Sequence, residues 1–246
     1  MDLERWRKFV SSLECSPLFV TVSGAHIYGF PSPDSDVDLR GCHRLPLKQV
    51  VGLQLPNETI DVSTINDGTE VDIVSHEVGK YFRLLVKNNG YVLEQIFSPL
   101  VVSGQEFLDV LKPIAGRCIT RHHYHHYRGF YAGRRKLLEK ESFKKAKSLL
   151  YAYRVLMTGI HLMNSGRIET DVRVLHSDLG LDFIPELIAA KLEEKIELPN
   201  LDWDFHRDQL ERLEQKLGEA FEASSLPSDR DTAAVDELLV SLRLQS

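Results

Sequence analysis

Asp36 and Asp38 lie two residues apart in Asp36–Arg40, a stretch whose charged and apolar residues alternate as on a half-buried strand. On a strand, such a pair points to one face. Two carboxylates side by side with no positive partner repel each other, and a divalent cation between them relieves that repulsion. Oxygen-only ligation by few protein groups suits Mg2+, and Mn2+ by the same chemistry, with substrate phosphates completing the shell. Upstream, Ser23 and Gly24 follow the apolar run Leu18–Val22. A glycine there lets the backbone approach a ligand closely, and the N–H groups of a turn through Ala25 and His26 suit an oxyanion or phosphate. One segment therefore offers a phosphate cradle and a cation clamp.

A third acid, Asp72, alternates with Val71 and Ile73 in Glu70–Val74, and Glu70 shares its face. Three carboxylates can hold two metal ions roughly 4 Å apart, the geometry of in-line phosphoryl transfer. Arg40 lies two residues beyond Asp38 on the same strand face, within reach of a carboxylate or a phosphate.

These residues need a sheet to carry them. Leu18–Val22, Asp36–Arg40 and Glu70–Val74 read as strands, and the turn chemistry of residues 30–35 separates the first two. Residues 46–60 are ambiguous. An amphipathic helix is expected over 2–13, with Leu3, Trp6, Val10 and Leu13 on one side. Further helices are expected over 76–87, from Val92 to Phe97, and over 105–112, ending before Pro113. Beyond about residue 115 helical periodicity takes over, at 119–139, 143–164, 185–194, 203–222 and 231–243. The expected fold is α+β, a mixed-sheet core over 1–115 followed by an all-α domain over 116–246.

The whole string V-S-G-A-H-I-Y-G-F-P-S-P-D-S-D-V-D-L-R-G at 22–41, with Asp72, resembles the DNA polymerase β superfamily of nucleotidyltransferases, and within it the RNA-repair-pathway (RlaP-like) branch. Glu77, Lys80, Lys87-Asn88-Asn89 and Glu94 follow in that branch's order. The resemblance is specific over about 18–100 and loose in the helical region. It implies Mg2+-dependent transfer of a nucleoside monophosphate from an NTP to a hydroxyl acceptor, with RNA favoured. Asp36, Asp38 and Asp72 would be the catalytic metal ligands for two ions, and Asp72 would also orient the hydroxyl. Ser23, Gly24, Ala25, His26, Arg40 and Lys80 would meet the nucleotide. One departure stands out: the family's serine after the glycine is Ala25 here. The hydrogen bond lost is worth roughly 1.5–3 kcal/mol, and Ser23 and backbone N–H groups are placed to compensate.

In the helical region, Lys147, Tyr151 and Arg154 fall at i, i+4 and i+7, a face that related nucleotidyltransferases offer to the outer phosphates. The run R-H-H-Y-H-H-Y-R at 121–128 mixes bases with aromatics, as single-stranded nucleic-acid binders do. With Arg117, Arg134, Arg135 and Lys136 it forms the most basic segment. His122 and His126, one turn apart, are also spaced like two zinc ligands, though no third ligand is evident. Three alternatives stay open: a nucleotide-binding module that transfers nothing, a toxin-type enzyme modifying tRNA or protein, and a metal-dependent phosphohydrolase built on the histidines.

Composition bounds these readings. The 246 residues suffice for one to two domains at about 150 residues each. The net charge of −6 argues against a general nucleic-acid coat. Cys15, Cys42 and Cys118 form no C-x-x-C pair, as expected in a reducing cytoplasm. No leader peptide and no membrane span are expected.

Overall fold

The computed structural model describes residues 1–13, 17–54, 56–142, 144–193 and 201–245. Cys15 and the expected helix limits at 143 and 194 lie outside them. The elements run α1 (Leu3–Ser11), β1 (Pro17–Val22), α2 (Ala25–Tyr28), β2 (Val37–His43), α3 (Leu47–Val50), β3 (Thr59–Asn66), β4 (Thr69–Glu77), α4 (Val78–Leu85), α5 (Gly90–Ile96), β5 (Val101–Ser103) and α6 (Gln105–Gly116). Helices follow: α7 (His123–Lys140), α8 (Ala146–Ser165), α9 (Val172–Asp178), α10 (Ile184–Leu192), α11 (Trp203–Ala223) and α12 (Thr232–Leu244).

The five strands form one sheet in the order β3-β4-β2-β1-β5. Among the described residues only β2 and β4 run parallel; the other pairs are antiparallel. The fold is therefore α+β with a mixed sheet. One sheet face is apolar by alternation: Val20 and Val22, Val37 and Leu39, Val71 and Ile73 are buried beneath Trp6 and Val10 of α1. Asp2 starts α1 by accepting the N–H groups of Glu4 and Arg5. On the other face Phe19 meets Tyr81 of α4 edge-on, at 5.4 Å between ring centroids. There too Thr21 donates its hydroxyl to the Gln95 carbonyl of α5 at 3.0 Å.

Two compact units emerge. The first comprises Met1–Ile27, Ser35–Ile119 and Asp229–Ser246. Its C-terminal segment is tied in by charge. Arg117 Nε donates to Asp231 Oδ2 at 2.7 Å, Arg44 donates to the Leu242 carbonyl at 2.9 Å, and Arg243 pairs with buried Glu77 at 2.7 Å. The second unit comprises Tyr28–Asp34 and Thr120–Ser228. Its centre is α8, buried along most of its length against α7 and α11. Tyr153 of α8 bonds to His206 Nδ1 of α11 at 2.8 Å. Tyr28 and Phe30 both lie edge-on to Tyr151, so the middle of the 22–41 string packs with helices.

Several elements differ from the sequence reading. β3 was not expected, nor were β5 and α9. β4 continues through His76, which pairs in register with Cys42, and α4 starts only at Val78, after Glu77 accepts the Gly79 N–H at 2.7 Å. α6 runs through Pro113 to Gly116 instead of stopping before the proline.

Candidate active site

The parallel register places Asp38 directly abreast of Asp72, one on each of two neighbouring strands. Both are part-buried, on the face opposite the residues that α1 covers. Asp36 differs from expectation. It precedes the first residue of β2 and is exposed, so no ladder fixes its side chain beside Asp38.

The turn after β1 presses on this pair. The Ser23 N–H donates to the Asp38 carbonyl at 2.8 Å. Gly24 follows at φ +66°, and a Cβ built on it would stand 1.9 Å from Asp38 Oδ2. Only glycine allows that approach, because it alone takes a left-handed backbone freely and leaves the space empty. Ala25 and His26 begin the single turn α2, with Ala25 buried.

Arg40 closes the other side. Its Nη2 donates to Asp38 Oδ1 at 2.6 Å, while Nη1 donates to the Asp72 carbonyl at 3.0 Å and to the Leu39 carbonyl at 2.9 Å. Four residues along β4 from Asp72 stands His76, a residue not among the expected site residues. Its Nδ1 lies 3.1 Å from Thr59 Oγ1, to which Lys80 Nζ also donates. Burial first, then the positive charges of Lys80, His43 and Arg40, push His76 down from 6.5 to about 4. Its only sequence signal was alternation with Asp72 and Val74 along β4.

Three carboxylates and no thiolate or imidazole make a donor set of the type that hard divalent ions take. Yet no three His, Cys, Asp or Glu side chains among the described residues are grouped closely enough to hold a metal ion. The donors fit Mg2+ in kind, and Asp38 meanwhile faces Arg40.

The helical candidates do not share one environment. Lys147 is exposed and Tyr151 half-buried. Arg154 is only 1% exposed, with its guanidinium 4.1 Å from the Tyr28 ring centroid. Helical spacing puts the three on one side of α8, but Tyr28 covers the last of them. In the basic segment, Arg135 is engaged by Glu139, Glu211 and Glu214, and Arg121 lies over Phe221 and donates to its carbonyl. His122 stacks on His125 at 6.0 Å, and burial chiefly pushes His126 down to about 4. Arg128 and Lys136 are exposed.

A mixed sheet sets one aspartate on each of two neighbouring parallel strands, under a glycine turn, as a nucleotidyltransferase core of the polymerase β type would require. The chain belongs to the RNA repair pathway DNA polymerase beta family (RlaP), which it matches over residues 2–241. It is 37% identical over 155 residues to an uncharacterized protein of Methanocaldococcus jannaschii, a match spanning 63% of each chain. A nucleotidyltransferase-like protein from Exiguobacterium sibiricum covers 98% of this chain and 78% of its own at 11% identity, with a TM-score of 0.32, too slight a likeness to define a fold. No helix among the described residues is long and apolar enough to cross a membrane.

Proposed function

We propose that this protein transfers a nucleoside monophosphate from an NTP to a hydroxyl of an RNA acceptor. The observation that carries the reading is the Asp38–Asp72 register beneath Gly24. The acceptor oxygen attacks the α-phosphorus, the bond to the β-phosphate oxygen breaks, and pyrophosphate leaves. Asp72 orients the hydroxyl and helps take its proton. Asp36, Asp38 and Asp72 are the residues that would hold Mg2+ or Mn2+, two ions in the full reading, which supply charge neutralisation and a more acidic hydroxyl. Otherwise the rate comes from positioning and from cationic groups around the phosphates.

The turn Ser23-Gly24-Ala25-His26 faces the triphosphate in this reading, joined by Arg40 and Lys80. Arg154 is withdrawn from the nucleotide set because it is sealed against Tyr28; it holds the Tyr28–Phe30 segment in place. RNA is favoured by the family's description and by exposed Arg128, which lies over the Tyr124 ring, and exposed Lys136 in the same basic segment. A protein of the reducing cytoplasm suits that substrate.

The test is transfer of label from each α-labelled NTP to tRNA and to RNA oligonucleotides. Asp38→Asn and Asp72→Asn are expected to cut transfer by more than about a hundredfold, since changing groups that merely support metal ligands already costs 10–100-fold. Full turnover by either variant sinks the reading. Ala25, in place of the family's serine, favours one other reading: a module that binds NTP without transfer. NTP binding with no pyrophosphate release on any acceptor would select it.

A further inference from the structure

We propose that Arg40 is a resident counter-cation of Asp38, which the phosphates of an incoming nucleotide must draw away before the acidic cluster binds a divalent ion tightly. This rests on the nucleotidyl-transfer reading.

Asp38 is engaged on both of its carboxylate oxygens. Oδ2 packs against Gly24, where a Cβ would come within 1.9 Å, and Oδ1 accepts Arg40 Nη2 at 2.6 Å. Arg40 is not a loosely swinging side chain. Its Nη1 is fixed by the carbonyls of Leu39 and Asp72, so the guanidinium bridges β2 and β4 at the level of the acid pair. Asp38 is the only carboxylate partner of Arg40 among the described residues. The ion pair keeps about a quarter of its surface in solvent, with the two side chains 24% and 26% exposed, so it can exchange.

A guanidinium seated there does two things to a divalent ion. It occupies a ligand oxygen, and it adds like charge beside the place where the ion would sit. A triphosphate reverses both. It offers a guanidinium several anionic oxygens in the planar, two-pronged geometry that Arg prefers over a single carboxylate oxygen. When Arg40 moves to phosphate, Asp38 Oδ1 is released. Nucleotide and cation then bind cooperatively, and by linkage each raises the affinity of the other by the same factor. A metal ion is thereby admitted with its substrate and not before it. A merely structural Arg40, stapling β2 to β4 through the two carbonyls, would affect stability and leave cation affinity alone.

Mn2+ binding to the full-length protein, followed by loss of the free-ion EPR signal, separates these. It is measured with and without a nucleoside 5′-[α,β-imido]triphosphate, which cannot be turned over at the scissile bond, and the Mn2+ that the same analogue takes up without protein is subtracted. In the unaltered protein the analogue is expected to tighten Mn2+ binding by about tenfold, an ordinary coupling between two sites. Arg40→Gln should bind nucleotide-free Mn2+ about tenfold tighter than the unaltered protein and lose most of the enhancement. Arg40→Lys, which keeps the charge but reaches fewer acceptors, should fall between them and serves if Arg40→Gln does not fold. Equal or weaker nucleotide-free binding in the Arg40 variants, or no enhancement in the unaltered protein, overturns the inference alone so long as Mn2+ binds and Asp38→Asn abolishes that binding. No Mn2+ uptake by the unaltered protein in either state overturns the transfer reading as well.

Discussion

Gly24 is a residue whose absence of a side chain has a specific consequence. At φ +66° an alanine is disfavoured by roughly 1–2 kcal/mol on backbone grounds. Its Cβ would in addition overlap Asp38 Oδ2. Gly24→Ala is therefore expected to lower the stability measured by urea denaturation by at least about 1 kcal/mol. It should also abolish label transfer, because Asp38 cannot keep its place. A variant of unchanged stability and activity would show that the turn is not packed on the carboxylate. Gly24, Asp38 and Asp72 were legible in the sequence, since strand alternation decides which face a residue takes and a glycine after an apolar run marks a close approach. The partner of Arg40 was not. Spacing placed it on the same face as Asp38, equally able to meet a carboxylate or a phosphate, and only the positions of the Leu39 and Asp72 carbonyls show where the guanidinium rests. Burial of Arg154 was illegible for a similar reason: the ring that covers it belongs to Tyr28, more than a hundred residues away in the chain.

Elements were legible where one face is apolar and the other wet, which is why β1, β2, β4 and α1 were expected near their observed places. β3 escaped because it is an edge strand with exposed residues along most of its length, so its T-I-D-V-S-T-I-N sequence carries no buried alternation. The missed signal was its turn. Asn66-Asp67-Gly68-Thr69 has Asp67 and Gly68 both at positive φ, the conformation that makes Asp-Gly a hairpin marker. For α12 periodicity revealed a helix but not the surface it would join. Its attachment is read from Glu77, 1% exposed, and its partner Arg243. Removing one member of a buried ion pair leaves the other charge stranded and costs about 3–5 kcal/mol. Arg243→Met should therefore destabilise the first unit by up to about 3 kcal/mol, the low end because the Arg243 side chain keeps some solvent contact. Glu77→Gln combined with Arg243→Met should restore most of that loss. If the double variant is no more stable than Arg243→Met alone, the pair does not hold α12.

Across the whole molecule, each of the two units carries the same acid weakness. His76 in the first unit and His126 in the second are each pushed from 6.5 to about 4, in both cases chiefly by burial. Burial likewise lowers His43 in the first unit and His206 in the second. Unfolding returns each imidazole to water, where it takes a proton near pH 6.5, while the folded protein keeps His76 and His126 neutral until about pH 4. Between those values the unfolded chain binds more protons, so stability falls as pH drops from about 6.5 towards 4 and levels off, for these groups, below that. The chain has two tryptophans, Trp6 buried under the sheet and Trp203 at the start of α11, one in each unit. Single-tryptophan variants, Trp6→Phe and Trp203→Phe, therefore give a fluorescence midpoint for each unit. Both midpoints should decline between pH 7 and pH 5. His76→Gln should flatten the decline seen by Trp6, and His126→Gln the decline seen by Trp203. Midpoints that hold steady to pH 5, or that respond to neither substitution, would mean that these imidazoles are charged inside the folded protein. The positive side chains around His76 would then be answered by an anion, and the sheet face beside Asp38 and Asp72 would be read as acidic where it is now read as mixed.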